Sequence, residues 1–197
     1  MVFAQTSHPD VIITRLTLDE YRAMEETNPE RHEYRNGEIL CMSGGSEAHS
    51  AIASNLLIYL GFLLRDTNFR LYNSDLRVWI PEYQCGTYTD LMVVNGKPEF
   101  NGDRNDEILN PLLIVEVLSP FTEAYDRGEK FRKYCSVASF CKYLLVDIEV
   151  GNGIVSVAEI ANFPGIVAQF FQIYNQFSNC KLGIFSKSLI LLVTRIS

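Results

Sequence analysis

Glu116 stands in Leu112-Leu113-Ile114-Val115-Glu116-Val117-Leu118, a run that is apolar on both faces except at this one carboxylate. Burying an unpaired carboxylate is costly, so it must be protonated, paired with a cation or coordinated to a metal. Asp90 comes 26 residues earlier, in Tyr88-Thr89-Asp90-Leu91-Met92-Val93-Val94, again a polar position beside an apolar run. If the two strands are neighbours, the carboxylates lie side by side. Like charges at close range raise each other's pKa unless a divalent cation lies between them. Mg²⁺ suits such a pair, because it favours carboxylate oxygens and retains waters that can hydrolyse a phosphodiester. Lys130 follows Glu116 by 14 residues. Its ammonium could hold the attacking water and balance charge in the transition state.

The same residues have plainer readings. Glu116 could be a structural ion-pair partner of Lys130 or Arg127, and Asp90 a turn or edge residue. The charged stretch Asp126–Lys133 could be a solvated helix face. His49 reads as a local cap or packing residue. Ser119 precedes Pro120 and has no neighbouring histidine to activate it as a nucleophile.

The elements that must position these groups are legible in outline. Thr17-Leu18-Asp19-Glu20 has the form of a capping box and opens a helix over about residues 18–27, which stops near Asn28-Pro29. Asn36-Gly37 lies between two strand-like runs and predicts a hairpin with a type I′ turn. A glycine-rich connector at Ser43–Glu47 leads into a long helix over 48–65, with Ile52, Leu56, Tyr59, Leu60 and Leu63 at three- and four-residue spacing. Strands are expected over 70–80 and 87–94, with a loop at Pro81–Gly86 between them and another at Asn95–Asn110. The Glu116 run is a central strand. A charged helix over 123–136 and a strand at Tyr143–Val146 follow.

The chain has 197 residues, enough for one domain with a substantial core. At 47% hydrophobic and 21% charged, it is neither disordered nor collagen-like. The net charge of −7 is uneven: residues 1–150 carry −9, whereas residues 151–197 carry +2 and hold only Glu159, Lys181, Lys187 and Arg195. An acidic chain has no bulk attraction for phosphate, which argues against a general nucleic-acid coat protein but not against a metal-bearing nuclease. The five cysteines are odd in number and form no C-x-x-C pair, poor material for a disulfide framework or a zinc site. No signal peptide is read at the start, and the apolar stretches fall short of a membrane span, so a cytoplasmic protein with no membrane partner is expected.

At these residues the sequence resembles a bacterial family of restriction-endonuclease type, the Uma-type members of the PD-(D/E)XK nuclease superfamily. The matching stretches are Leu16–Tyr21, Arg31-His32-Glu33-Tyr34-Arg35-Asn36-Gly37-Glu38, Ser46–His49, Ser74–Val78, Tyr88–Val94 and Leu113–Asp147. The resemblance implies an α/β (α+β) fold: a restriction-endonuclease-like mixed β-sheet flanked by helices, with an N-terminal helix and β-hairpin. It puts the family's aspartate on Asp90 and its glutamate on Glu116. The superfamily lysine, two residues after the glutamate, is replaced by Leu118, and the family's lysine matches Lys130 on the following helix. Glu33 and His49 fall on outer positions of the site.

The function so implied is Mg²⁺-dependent hydrolysis of DNA. Asp90, Glu116 and the Val117 carbonyl hold the metal, with Mn²⁺ as a substitute, and Lys130 positions the water. A catalytically inactive nuclease-fold module for binding or assembly is the alternative. Thr89 stands where a proline usually precedes the aspartate, and its backbone can stay extended. The resemblance covers residues 16–147 of a single nuclease-like domain. Beyond it, 151–197 is an atypical apolar segment that ends in Leu-Ile-Leu-Leu-Val. Asn152-Gly153 reads as a turn, with strands at Ile154–Ile160 and Val167–Tyr174. This tail either packs in a homodimer interface or is an altered, frameshifted ending.

Overall fold

The computed structural model describes residues 11–12, 15–42, 44–146, 155–159 and 192–194. Helix α1 (Leu18–Thr27) opens on the expected capping box: the Glu20 amide donates to the Thr17 hydroxyl, and the Thr17 amide donates to the Glu20 carboxylate at 2.7 Å. Strands β2 (His32–Arg35) and β3 (Glu38–Cys41) form the hairpin, with φ of +46° at Asn36 and +100° at Gly37. These are the left-handed conformations that a type I′ turn requires. Helix α2 runs over Glu47–Leu64 from an N-cap at Ser46.

The strands among the described residues form two mixed sheets of six strands each. The first has the order β1-β3-β2-β6-β5-β8, with β1 at Val11–Ile12, β5 at Arg77–Ile80, β6 at Cys85–Tyr88 and β8 at Glu107–Ile108. The second has the order β12-β11-β10-β9-β7-β4. Its strands are β4 (Phe69–Asn73), β7 (Leu91–Asn95), β9 (Leu113–Val117), β10 (Lys142–Val146), β11 (Val155–Glu159) and β12 (Leu192–Thr194). The α+β class and the N-terminal helix and hairpin agree with expectation, and β9 is interior, parallel to β10 and antiparallel to β7.

Two expected strands are in fact broken, and each half joins a different sheet. The run 70–80 divides at Ser74–Leu76. There the Asp75 amide donates to the Asn73 side chain at 3.2 Å and Arg31 donates to the Ser74 carbonyl at 2.6 Å, bonds that compete with the ladder. The run 87–94 divides at Thr89-Asp90. The expected loop at 95–110 contains β8, and Cys85-Gly86 belongs to β6 rather than to a loop. The expected turn at Asn152-Gly153 and strand at Val167–Tyr174 lie outside the described residues.

Between the sheets, Val78, Ile80 and Cys85 pack with Met92, Val94, Ile114, Tyr143 and Leu145. On the far side of the second sheet, Val115 and Val117 pack with Leu56 and Leu60 of α2. Alternation along β9 therefore turns Glu116 away from α2 and toward the inter-sheet layer. Tyr21 of α1 stacks on Tyr34, with ring centroids 5.0 Å apart, and covers the outer face of the first sheet with Ile39 and Trp79. By length and composition α2 is apolar enough to cross a membrane; in this fold Leu56 and Leu60 are buried, whereas Ile58 and Phe62 are exposed.

The charged helix α3 has three consecutive segments, Glu123–Tyr125, Asp126–Lys130 and Phe131–Tyr134, of which the middle one is a π turn. It is not a solvated face, since Asp126, Lys130 and Lys133 are all buried.

Candidate active site

Leu91 of β7 lies opposite Val115 of β9, so the antiparallel register brings Asp90 opposite Glu116. Asp90 occupies the crossover from the first sheet to the second. Its Oδ2 accepts the Val117 amide proton at 2.6 Å and lies 3.3 Å from His49 Nε2. His49 is in the first turn of α2, where its amide donates to the Ser46 hydroxyl at 3.2 Å, so the cap fixes where the ring emerges. The hydrogen bond to Asp90, above all, raises the His49 pKa, and the Val117 backbone adds to it.

On the inter-sheet side, Glu116 Oε1 accepts hydrogen bonds from Lys130 Nζ at 2.9 Å and from the Tyr134 hydroxyl at 3.0 Å. Lys130 Nζ is also 3.5 Å from Asp126 Oδ1 and 3.8 Å from Glu33 Oε1. One ammonium thus gathers carboxylates from a strand of each sheet and from its own helix. Glu33 accepts in addition from the Thr87 hydroxyl, from Tyr125 at 2.8 Å and from Arg35 at 3.2 Å.

Burial pushes the Glu116 carboxyl well above the ordinary carboxylate range; Lys130 opposes this, and Asp126 and Asp90 add to it. Burial also raises Asp126. At Glu33 burial acts the same way, but Lys130, Arg35 and the bonds from Thr87 and Tyr125 outweigh it and hold the group low. Burial alone would lower Lys130, yet Glu116, Asp126 and Glu33 hold its proton well above the usual range. Oxygen donors dominate the site, and burial is the main cause that holds the Glu116 carboxyl above its ordinary range.

All six residues singled out in the sequence (Asp90, Glu116, Val117, Lys130, Glu33 and His49) come together here. Asp126, Tyr134, Tyr125, Thr87 and Arg35 join them unforeseen. The four-residue spacing of Asp126 and Lys130 was the available signal for Asp126; Tyr125 and Tyr134 lie on the same helix, Arg35 stands two residues from Glu33 on β2, and Thr87 comes from β6. The basic run is largely committed within α3, with Arg127 donating to Glu123 and Lys133 to Glu129, each at 2.7 Å. The Ser119 hydroxyl is engaged with Thr122 at 3.1 Å, at the start of α3.

Two proteins of Synechocystis sp. resemble the chain over most of its length. "Uncharacterized protein sll1609" is 35% identical over 132 residues, 67% of this chain and 75% of the relative. "Uncharacterized protein slr1290" is 39% identical over 138 residues, 70% of this chain and 72% of the relative. The fold is similar to a crystal structure of "a putative nuclease belonging to DUF820" from Anabaena variabilis. The TM-score is 0.57 at 20% identity, over 78% of this chain and 92% of that one. Residues 18–157 match the profile of the Uma2 family, described as "Putative restriction endonuclease", and the chain belongs to that family.

Proposed function

We propose that the protein is an Mg²⁺-dependent endonuclease that hydrolyses DNA phosphodiester bonds. The observation that carries this reading is the approach of Lys130 to within 2.9 Å of a strand glutamate whose register neighbour is Asp90. The carboxylates of Asp90 and Glu116 and the Val117 carbonyl form a hard oxygen set suited to Mg²⁺, with Mn²⁺ as a substitute. Once bound, the ion would supply Lewis-acid polarisation of the phosphate and a water of lowered pKa.

The chain's own residues have separable tasks. Lys130 is held protonated, so it acts as a charge that orients the nucleophile and stabilises the pentavalent phosphate, not as a base. Glu33, Tyr125 and Thr87 hold that ammonium in place. His49 occupies the lone pair of Asp90 Oδ2 and competes with a cation there, so metal affinity rises with pH as His49 deprotonates.

The test is cleavage of supercoiled plasmid with Mg²⁺, comparing the native chain with Glu116→Ala. Cleavage should fall by about 100-fold or more. Equal cutting by both proteins removes Glu116 from the mechanism. A second reading, a non-catalytic binding or assembly module, is favoured by the pairing of Glu116 with Lys130 and of Asp90 with His49 inside the chain. A calorimetric titration with Mn²⁺ separates the two: the enzyme reading requires binding that Asp90→Asn abolishes.

A further inference from the structure

We propose a second, softer metal site on the hairpin, in which Glu30, His32 and Cys41 bind Zn²⁺. His32 and Cys41 are directly opposite each other in the β2–β3 ladder, and Glu30 precedes His32 by two residues. Opposed residues of an antiparallel pair project on one face with Cβ atoms about 4.5–5.5 Å apart. One potential ligand atom from each of the three residues lies within 4.8 Å of the others, and Cys41 Sγ is 3.7 Å from Glu30 Oε2. Ligand atoms around a tetrahedral zinc keep roughly 3.3–3.8 Å between them, given bonds of about 2.0–2.3 Å. Glu30 is exposed, so its side chain is free to adjust toward the other two.

A second observation points independently to a ligand. Glu25 of α1 lies 2.7 Å from His32 Nδ1 through Oε1, while its Oε2 accepts from the Tyr88 hydroxyl at 2.9 Å and from the His32 amide at 3.3 Å. In the neutral tautomer that donates Nδ1–H to this carboxylate, Nε2 carries the lone pair that a metal takes. This carboxylate–histidine arrangement orients imidazole ligands at metal sites and raises their basicity. The Tyr21 hydroxyl, donating to the His32 carbonyl at 2.6 Å, fixes the backbone beneath it.

A thiolate, an imidazole and one carboxylate are a borderline-soft set that selects zinc over magnesium. The two sites therefore separate by hardness, with oxygen donors at Asp90 and Glu116 and mixed donors on the hairpin. Three protein ligands leave a coordination position for water or an external ligand. Binding takes the proton from the Cys41 thiol and releases it to solvent. The absence of a C-x-x-C pair argued against zinc from sequence, but pairing across a hairpin needs no such spacing.

The experiment is a Co²⁺ titration of the full chain, read by absorption, with Zn²⁺ as competitor. One equivalent should give a thiolate-to-cobalt charge-transfer band that Zn²⁺ displaces. Cys41→Ser should abolish the band, and Glu25→Gln should weaken binding by about 10–100-fold. Glu116→Gln should leave the band unchanged, so failure here is distinct from failure of the nuclease reading. Should Cys41→Ser misfold, Zn²⁺ protection of Cys41 against alkylation, read by peptide mass spectrometry on the native chain, reports the same contact. No band, a band that survives Cys41→Ser, or no protection of Cys41 overturns the proposal.

Discussion

Lys130 is the residue on which most of the site's electrostatics converge. Its ammonium and the Glu116, Asp126 and Glu33 carboxylates are each only 5% exposed in their side chains. Lys130→Met leaves those carboxylates without their shared cation, and breaking a buried pair from one side costs about 3–5 kcal/mol. Glu116 and Asp126 have folded pKa values above their ordinary ones, so they favour the fold at low pH and cost it as pH rises. Urea midpoints should therefore show a larger deficit at about pH 8 than at about pH 5; an equal deficit would mean that carboxylate charge is not its source. His49 has the same sign. Its pKa is raised above 6.5 by Asp90, so its stabilisation is complete below pH 6.5 and is lost as pH passes through the folded value. The stability gap between the native chain and His49→Gln should close on raising the pH, and a flat gap would mean that the imidazolium–carboxylate pair does not form. Glu116 was legible because a carboxylate inside an apolar strand must be accounted for, and Lys130 because it stands on the charged helix that follows that strand and matches the family's lysine. Tyr134 and Thr87 were not, since a buried hydroxyl in an otherwise ordinary run carries no mark of its partner.

At the scale of elements, the hairpin and the π turn respond oppositely to one methyl group. Gly37 has φ of +100°, and a Cβ there would lie 3.5 Å from the Leu16 carbonyl oxygen. Gly37→Ala should destabilise the protein by about 1 kcal/mol or more, because alanine strains at that φ. Gly128 sits in the π turn, with φ outside the left-handed range and open space where a Cβ would stand. Gly128→Ala should stabilise by roughly 0.5–1 kcal/mol through reduced freedom of the unfolded chain. Thermal melts of the two variants should shift in opposite directions, and a loss in Gly128→Ala would show that the π turn needs glycine. The Asn36-Gly37 turn and the Thr17 capping box were legible because each is a local rule, settled by neighbours in sequence. The breaks at 74–76 and 89–90 were not. There the chain leaves one sheet for the other, and alternation continues across a change of sheet as readily as along one strand. The π turn was hidden for a related reason: its consequence, Lys130 and Asp126 both facing inward, depends on what lies across from α3.

For the whole molecule, the strands that carry the site are interior, whereas the second sheet ends far from it. Asp90 immediately precedes β7 and Glu116 lies on β9, while β12 pairs with β11 toward the opposite edge, through Val157 with Leu192, Ala158 with Val193 and Glu159 with Thr194. The family profile stops at residue 157, within β11, so β12 is supplied by the apolar segment outside the family pattern. An unpaired β11 edge would be a template for another chain. Deleting residues 175–197 removes β12, and the truncated protein should self-associate, with a light-scattering mass that grows with concentration. The proposed Mn²⁺ binding at Asp90 and Glu116 should be the same in it as in the native chain, because β7, β9 and β10 keep all their partners. A change from a dimeric to a monomeric mass would instead assign the segment to a homodimer interface. A truncated protein of unchanged mass that stays dispersed would show that neither role needs it, and that the sheet tolerates β11 as its edge.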